Sequence, residues 1–282
     1  MRVSERGSMR KKLFGFTWTL LWPIRLYLCH FPYPRGKGLL LRYLVLPLLP
    51  PKGVGFLLPV PSGGSVRVDY RETLGLSSLL YGTFEKGELE FASQYLQPGN
   101  TVMDIGANIG LFAVVMGRTV GQAGVVIAFD PVPSNIVRLK SNLNENGISA
   151  AAVYELALGS TNEQMELKMS DDTAYASIHK VEHDLGNGQV IQVSVKRLDD
   201  VWHERGRPAI SFIKMDVEGA ELEVIKGGEA MLSECHPTML IEANTPQHLA
   251  KLKEALQPFN YRHIHPDGFL QHNHLFICPR HA

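Results

Sequence analysis

Two stretches of the chain place charged side chains directly after apolar runs, where a parallel sheet would leave them at its edge. The first is Val102-Met103-Asp104-Ile105-Gly106-Ala107-Asn108-Ile109-Gly110, followed by the apolar run Leu111-Phe112-Ala113-Val114-Val115-Met116. The second is Ile210-Ser211-Phe212-Ile213-Lys214-Met215-Asp216-Val217-Glu218-Gly219-Ala220-Glu221. In an extended strand alternate residues share a face, so Lys214, Asp216 and Glu218 are expected on one side. Unpaired charges are poor core material, and a cation between two acids can hold them ionised. That set suits proton transfer: Asp216 to orient a hydroxyl or accept its proton, Glu218 as its partner, and Lys214 to keep the pair charged or to contact the acceptor.

The first stretch reads as strand, glycine turn and helix, with helix N–H groups aimed at whatever occupies the turn. Its pattern is D-x-G-x-N-x-G, whereas a dinucleotide site would show G-x-G-x-x-G with room for a pyrophosphate. A carboxylate at Asp104 would repel phosphates and suits a cationic amine. About twenty residues on, Val125-Val126-Ile127-Ala128-Phe129 ends in Asp130-Pro131, and an acid there can accept both ribose hydroxyls. Asp104, Gly106, Ala107, Asn108, Gly110, Asp130 and Pro131 therefore point to an adenosine ligand with a positively charged tail and no phosphates, namely S-adenosylmethionine. A nicotinamide-dependent oxidoreductase is disfavoured by the missing third glycine and by Asp104. A non-catalytic binding or scaffold protein is disfavoured by the intact acids at both strand ends.

Hard oxygen donors at Asp216, Glu242 and Asn244 could converge on a divalent cation such as Mg²⁺, although no metal is expected. The three cysteines, Cys29, Cys235 and Cys278, form no metal spacing and no disulfide framework, which suits a reducing, cytoplasmic compartment. Lys plus Arg and Asp plus Glu both count 28, so no basic footprint for nucleic acid is expected. A polar stretch without periodicity, residues 170–179, could be a lid, and its His179 is a weaker candidate base.

The elements that must position these residues follow in order. Residues 55–60 and 65–70 flank Pro61-Ser62-Gly63-Gly64, a hairpin signal. Helices are expected at 86–96, from Pro133 to about Asn146, at 222–226 and at 246–256. Residues 153–159 read as the third strand with its exit, and 164–169 and 190–195 as an antiparallel pair. Thr238-Met239-Leu240-Ile241-Glu242-Ala243-Asn244 is a further strand, and 261–265 and 274–277 close the sheet. The boundary is set at residue 75: an N-terminal extension over 1–75 and one α/β domain over 76–282. Residues 13–28 and 39–49 are apolar with basic neighbours and too short to span a bilayer, which needs about 20 apolar residues. They are expected to pack on the domain or in a homo-oligomer contact, with peripheral membrane contact through 13–49 as the alternative.

With these motifs placed, the chain resembles the FkbM family of S-adenosylmethionine-dependent methyltransferases over about residues 75–280. The resemblance is carried by Tyr81-Gly82-Thr83-Phe84-Glu85, the 104–110 motif, Phe129-Asp130-Pro131-Val132-Pro133-Ser134-Asn135, Ala157-Leu158-Gly159, the 213–221 motif, Pro237 and Glu242. One departure is Asp130, where the family more often has Glu. The resemblance implies a Rossmann-like seven-stranded sheet, mainly parallel with the last strand antiparallel. It adds Glu85, Ala157 and Leu158 to the cofactor-binding residues, and it implies O-methylation of a hydroxyl on a sugar, glycan or secondary metabolite.

Overall fold

The computed structural model describes residues 43, 45–82, 84–168 and 190–279. These fall into two compact units: one holds the residues up to Phe56 together with Val68–Phe84, the other Leu57–Arg67 and those from Glu85 onward. Residues 13–28 and the candidate lid with His179 lie outside the described residues.

In chain order the elements are β1 (Gly55–Pro59), β2 (Ser65–Asp69), α1 (Thr73–Tyr81), α2 (Lys86–Tyr95), β3 (Thr101–Ile105), α3 (Leu111–Val120), β4 (Val125–Phe129), α4 (Pro133–Glu145), β5 (Ala151–Tyr154) and β6 (Ala157–Gly159). They continue with β7 (Glu163–Lys168), β8 (Val190–Arg197), α5 (Leu198–Glu204), β9 (Ile210–Met215), α6 (Glu221–Gly227), α7 (Glu229–Cys235), β10 (Thr238–Glu242), α8 (Pro246–Leu256), β11 (Arg262–Ile264) and β12 (Asn273–Ile277).

In the smaller unit a single 3₁₀ turn, Leu46–Leu48, represents the described part of the second apolar segment. Val45, Leu49 and Tyr70 pack there with Leu76, Leu79 and Leu80 of α1. The Arg71 guanidinium ties the turn down by donating to the carbonyls of Leu46, Leu49 and Pro50. Helix α1 escapes a reading by periodicity because its apolar residues do not form a stripe. It also carries Gly75, where a Cβ would stand 1.8 Å from the Asp69 carbonyl oxygen.

The larger unit is built on a seven-stranded sheet of order β11-β12-β10-β9-β3-β4-β5. Strands β5, β4, β3, β9 and β10 pair in parallel, and β12 is antiparallel to both β10 and β11. This is the expected α/β architecture. The central strands are buried on both faces, which is why they read as unbroken apolar runs rather than alternating ones. On one face Met103, Ile105, Ile127, Phe129, Ile213, Met215, Met239 and Ile241 recur with period two and pack against α5, α6, α7 and α8. Helix α3 is buried almost throughout, whereas α4 buries only the stripe Ile136, Leu139, Asn142 and Leu143.

One element differs from the sequence reading. Residues 153–159 are not one strand and its exit. Strand β5 stops at Tyr154, and β6 pairs in parallel with β8 in a separate three-stranded sheet, with β7 antiparallel to β8. Leu156 and Leu158 turn into the core, so an apolar spacing that looked continuous covers a change of sheet.

Asp199 illustrates how buried carboxylates hold this fold together. Its oxygens accept from the N–H groups of Ala230 at 3.1 Å and Met231 at 2.9 Å, satisfying the first turn of α7 from a different helix. Asp199→Ala leaves the buried Met231 N–H and the more accessible Ala230 N–H without this acceptor, at a cost of about 2 kcal/mol. A fall in Tm of roughly 4–8 °C in a thermal melt is expected, and an unchanged melt would show that water replaces the cap.

Candidate functional site

The glycine turn after β3 is shaped by its neighbours. Gly106 has φ +82°, and a Cβ there would stand 1.9 Å from the Asp216 carbonyl oxygen. Only glycine allows both the left-handed backbone and this approach of the two motifs. The Asp216 N–H donates to the Ile105 carbonyl at 2.9 Å, locking the end of β9 to the end of β3. Gly110, with φ +92°, packs where a Cβ would stand 2.5 Å from Leu139 of α4.

Several N–H groups of this turn are already engaged within the protein. The N–H groups of Gly106 and Ala107 both donate to the Phe129 carbonyl, and that of Gly110 donates to Ala107. The Asn108 N–H donates to Asp130 Oδ2 at 2.9 Å. The Ala113 N–H, in the first turn of α3, is taken by the Asp104 carboxyl. The N–H groups of Gly106, Ala107, Asn108, Gly110 and Ala113 are thus engaged internally. Asp130 Oδ1 also accepts from the Val132 N–H at 2.9 Å and the Asn135 side chain at 3.1 Å. Asp130 therefore braces both turns, and burial raises its proton affinity while those donors oppose the rise. Pro131 follows it, half-buried.

The polar residues on the opposite face from the apolar cluster converge at the carboxyl ends of the strands. In register Asp104 lies beside Lys214, Lys214 beside Leu240, and Glu242 beside Asn273. Lys214 is 3% exposed, and its Nζ lies 3.6 Å from Asp216 Oδ2 and 5.3 Å from the centre of the Phe112 ring. Its Nζ has no hydrogen-bond partner, and neither has Asp104 Oδ2, Glu88 Oε2 or Asn273 Oδ1. Burial works against the Lys214 charge, but Asp216, Glu85, Glu242 and Asp104 together outweigh it and hold its pKa above the ordinary lysine value. Burial pushes Asp104 up to about 7, with Lys214 opposing.

Asp216 is 33% exposed, so it is the accessible member of its pair with Lys214. Burial works against its charge too, yet Lys214 and a hydrogen bond from Glu242 hold it below the usual carboxylate range. Burial and the Asp216 charge push Glu242 up to about 9. The pair is thus pushed apart, Asp216 toward its charged form and Glu242 toward its protonated form. Glu218 does not continue the strand face. Strand β9 ends at Met215, and Glu218 sits exposed at φ +55°. The neighbour that Asp216 meets is Glu242, which sequence spacing had offered only as a metal ligand. Asn244 lies exposed beyond β10, and among the described residues no group of three or more His, Cys, Asp and Glu is arranged to hold a metal ion.

Sequence reasoning missed three participants. Buried Asn273 donates to Glu85 Oε1 at 2.8 Å and to Glu88 Oε1 at 3.0 Å. Burial raises the Glu85 pKa, with Lys214 opposing. His272, half-buried beside Asn273, interacts electrostatically with Lys214, Asp216 and Glu88. Glu88 and Asn273 are 185 positions apart, and no local period announces such a pairing. Of the remaining residues named from sequence, Ala157 pairs with Val195 in the small sheet, while the Leu158 side chain belongs to the core and not to the polar cluster.

Comparison with known proteins agrees with this geometry. The chain is 27% identical over 143 residues to Methyltransferase 1 of Beauveria bassiana, covering 45% of this chain and 57% of that protein. It is 30% identical over 164 residues to the 31-O-demethyl-FK506 methyltransferase FkbM of Streptomyces tacrolimicus, covering 48% and 61%. It is 29% identical over 150 residues to the 2-O-methyltransferase NoeI of Sinorhizobium fredii, covering 49% and 60%. The chain thus spans somewhat more than half the length of these relatives. Residues 104–263, which hold both acid-bearing motifs, match the Methyltransferase FkbM domain, and the chain belongs to that family.

Proposed function

We propose that the chain is an S-adenosylmethionine-dependent methyltransferase that modifies a hydroxyl oxygen, on a sugar, glycan or secondary metabolite. The observation that carries this reading is the glycine turn, where the Gly106, Ala107, Asn108 and Gly110 N–H groups are engaged internally and the walls are acidic. Such a turn is hostile to a diphosphate and suited to an adenosine with a cationic tail. Asp104 Oδ2, buried and without a partner, is an acceptor available to that cation. Asp130, through its remaining acceptor capacity, and the 106–110 turn would hold the ribose side. Glu85, at the start of α2, adds a second buried carboxylate. The names of the two O-methyltransferase relatives support oxygen as the acceptor atom.

S-adenosylmethionine supplies an activated sulfonium methyl. The chain's task is then to align an acceptor oxygen and handle its proton, and alignment alone supplies much of the rate. Lys214, 3.6 Å away, and the hydrogen bond from Glu242 favour the ionised form of Asp216. It presents a charged hydrogen-bond acceptor at the open side of the cluster, where a hydroxyl can donate to it.

Calorimetric titration with S-adenosylhomocysteine, beside NAD as control, tests the cofactor. Saturable binding of the first alone is expected, and Asp130→Ala should weaken it about 10–100-fold through loss of a charged acceptor and of the turns it braces. Binding of NAD instead would overturn the reading. Radiolabelled methyl transfer to a panel of hydroxylated sugars and polyketides, with alkali-stable ether products, tests the acceptor atom.

A further inference from the structure

We propose that Glu221 is a positioning residue for methyl transfer, its buried carboxyl fixing the peptide that aims Asp216 at the acceptor hydroxyl. This rests on the hydroxyl-methylation reading above and deepens it. Glu221 is 1% exposed and opens α6. Its Oε1 accepts from the Val217 N–H and from the Gly219 N–H, each at 3.2 Å. Both donors precede α6, so the carboxyl serves the turn between β9 and the helix and not the helix itself.

The Val217 N–H belongs to the same peptide as the Asp216 carbonyl. That carbonyl packs on the glycine turn, where a Cβ on Gly106 would stand 1.9 Å from its oxygen. The peptide is therefore gripped from both sides, by Gly106 at its oxygen and by Glu221 at its nitrogen. One peptide earlier, the Asp216 N–H is held by the Ile105 carbonyl at 2.9 Å. With the planar units on both sides of its Cα fixed, Asp216 has only its side-chain rotamer left to choose.

The turn needs such a hold. Glu218 and Gly219 are consecutive left-handed residues, with φ +55° and +105°. A non-glycine residue keeps that backbone only where its surroundings impose it. Glu218 lies exposed between the two N–H groups that Glu221 binds, and from there its charge favours the protonated form of Glu242. On the other side, Glu221 Oε2 lies 3.2 Å from His248 Nε2 in the first turn of α8. The two form an ion pair when the imidazole is protonated, and they are not aligned as a hydrogen bond. Helix α8 follows β10, which ends in Glu242. A single carboxyl thus joins the segments that leave β9 and β10, the strands at whose ends Asp216 and Glu242 meet.

Three variants of the full chain test this. Glu221→Met keeps the length of the side chain and removes both oxygens. The Val217 and Gly219 amides, followed by NMR, should then exchange with solvent about tenfold faster or more. With an acceptor from the hydroxyl panel kcat should fall about 10–10²-fold, since a misplacement of about 1 Å can cost that much. S-adenosylhomocysteine affinity and acceptor KM should stay within about threefold, a split that general destabilisation does not produce. Glu221→Gln is the conservative rescue. Its amide oxygen still accepts from both N–H groups and its NH₂ donates to a neutral His248, so kcat should return to within about threefold of wild type. Gly219→Ala leaves Glu221 in place and strains the turn at an exposed position, where a Cβ meets nothing within 4 Å. It should fold even if Glu221→Met does not, and should show the same loss of kcat at unchanged affinity. Wild-type kcat in Gly219→Ala, or in folded Glu221→Met, would overturn the proposal. So would a Glu221→Gln variant as slow as Glu221→Met, which would assign the role to the charge facing His248. Failure of the underlying reading shows separately in the unmodified chain, as absent S-adenosylhomocysteine binding or absent transfer to every hydroxyl of the panel.

Discussion

Asp216→Asn is expected to reduce kcat by about 10³-fold while leaving S-adenosylhomocysteine affinity within a few-fold of wild type. The substitution conserves shape and removes charge. Its amide no longer offers a full negative charge to an acceptor hydroxyl, and its NH₂ group presents donors where an acceptor is needed. Asp216 is also the charge against which Glu242 retains its proton, so the variant lets Glu242 ionise at lower pH. That new carboxylate is displaced along β10 and does not restore the alignment, because proximity effects are lost with shifts of about 1 Å. Cofactor affinity is spared because the turn after β3 meets the Asp216 backbone, which the variant keeps. Single-turnover rates with a panel acceptor, together with calorimetry, check both halves. Near-wild-type turnover would remove Asp216 from the reaction, and a large loss of affinity would make it a cofactor residue instead.

How far the site could be read from the sequence depended on distance along the chain. Asp104 and Asp130 announce themselves because an acid ending an apolar run has few structural uses. Gly106 and Gly110 announce a tight turn, and the structure supplies the reason in the nearby Asp216 carbonyl and Leu139 side chain. Alternation correctly placed Lys214 and Asp216 together, but it was extended one step too far to Glu218, where the strand has already ended in a left-handed turn. Nothing local marks Glu88, His272 or Asn273. Asn273 reaches the site because β12 returns antiparallel beside β10, and α2 brings Glu88 within 3.0 Å of it, a juxtaposition that only the closed fold creates. The engaged N–H groups were equally invisible: only the folded chain shows Phe129, Asp130 and Asp104 accepting from Gly106, Ala107, Asn108 and Ala113. The opposed proton affinities of Glu242 and Asp216 depend on burial and on Lys214 and could not be read from residue types alone.

Among the described residues Lys214 is the single buried cation beside Glu85, Asp104, Asp216 and Glu242, and its removal should be the most damaging change in the described site for stability. Lys214→Met keeps the apolar stem and its contact with Phe112 while deleting the charge. Removing one partner from a buried ionic set costs roughly 3–5 kcal/mol, because the remaining charges lose their compensation. A drop in Tm of about 10 °C or more follows for a domain of this size. The loss should grow with pH. Asp104 has its pKa pushed up to about 7 and Glu242 to about 9, both above their unfolded values near 4. A carboxyl raised in this way binds its proton more tightly when folded, so stability falls as pH rises from the unfolded value toward the folded one. Lys214 limits that fall, because its charge lowers the pKa of Asp104, Glu85, Asp216 and Glu242 alike. Without it the window widens and deepens, since more carboxyls must either take up protons or stay charged without a counter-ion. Lys214 itself, with its pKa raised above the unfolded value, contributes fully throughout neutral pH, and that contribution fades only in strong alkali. Thermal melts of wild type and Lys214→Met at pH 5 and pH 8 should therefore diverge, with the smaller deficit at pH 5. Equal deficits at both values would mean that Lys214 acts through packing against Phe112 and not as the counter-charge of the site.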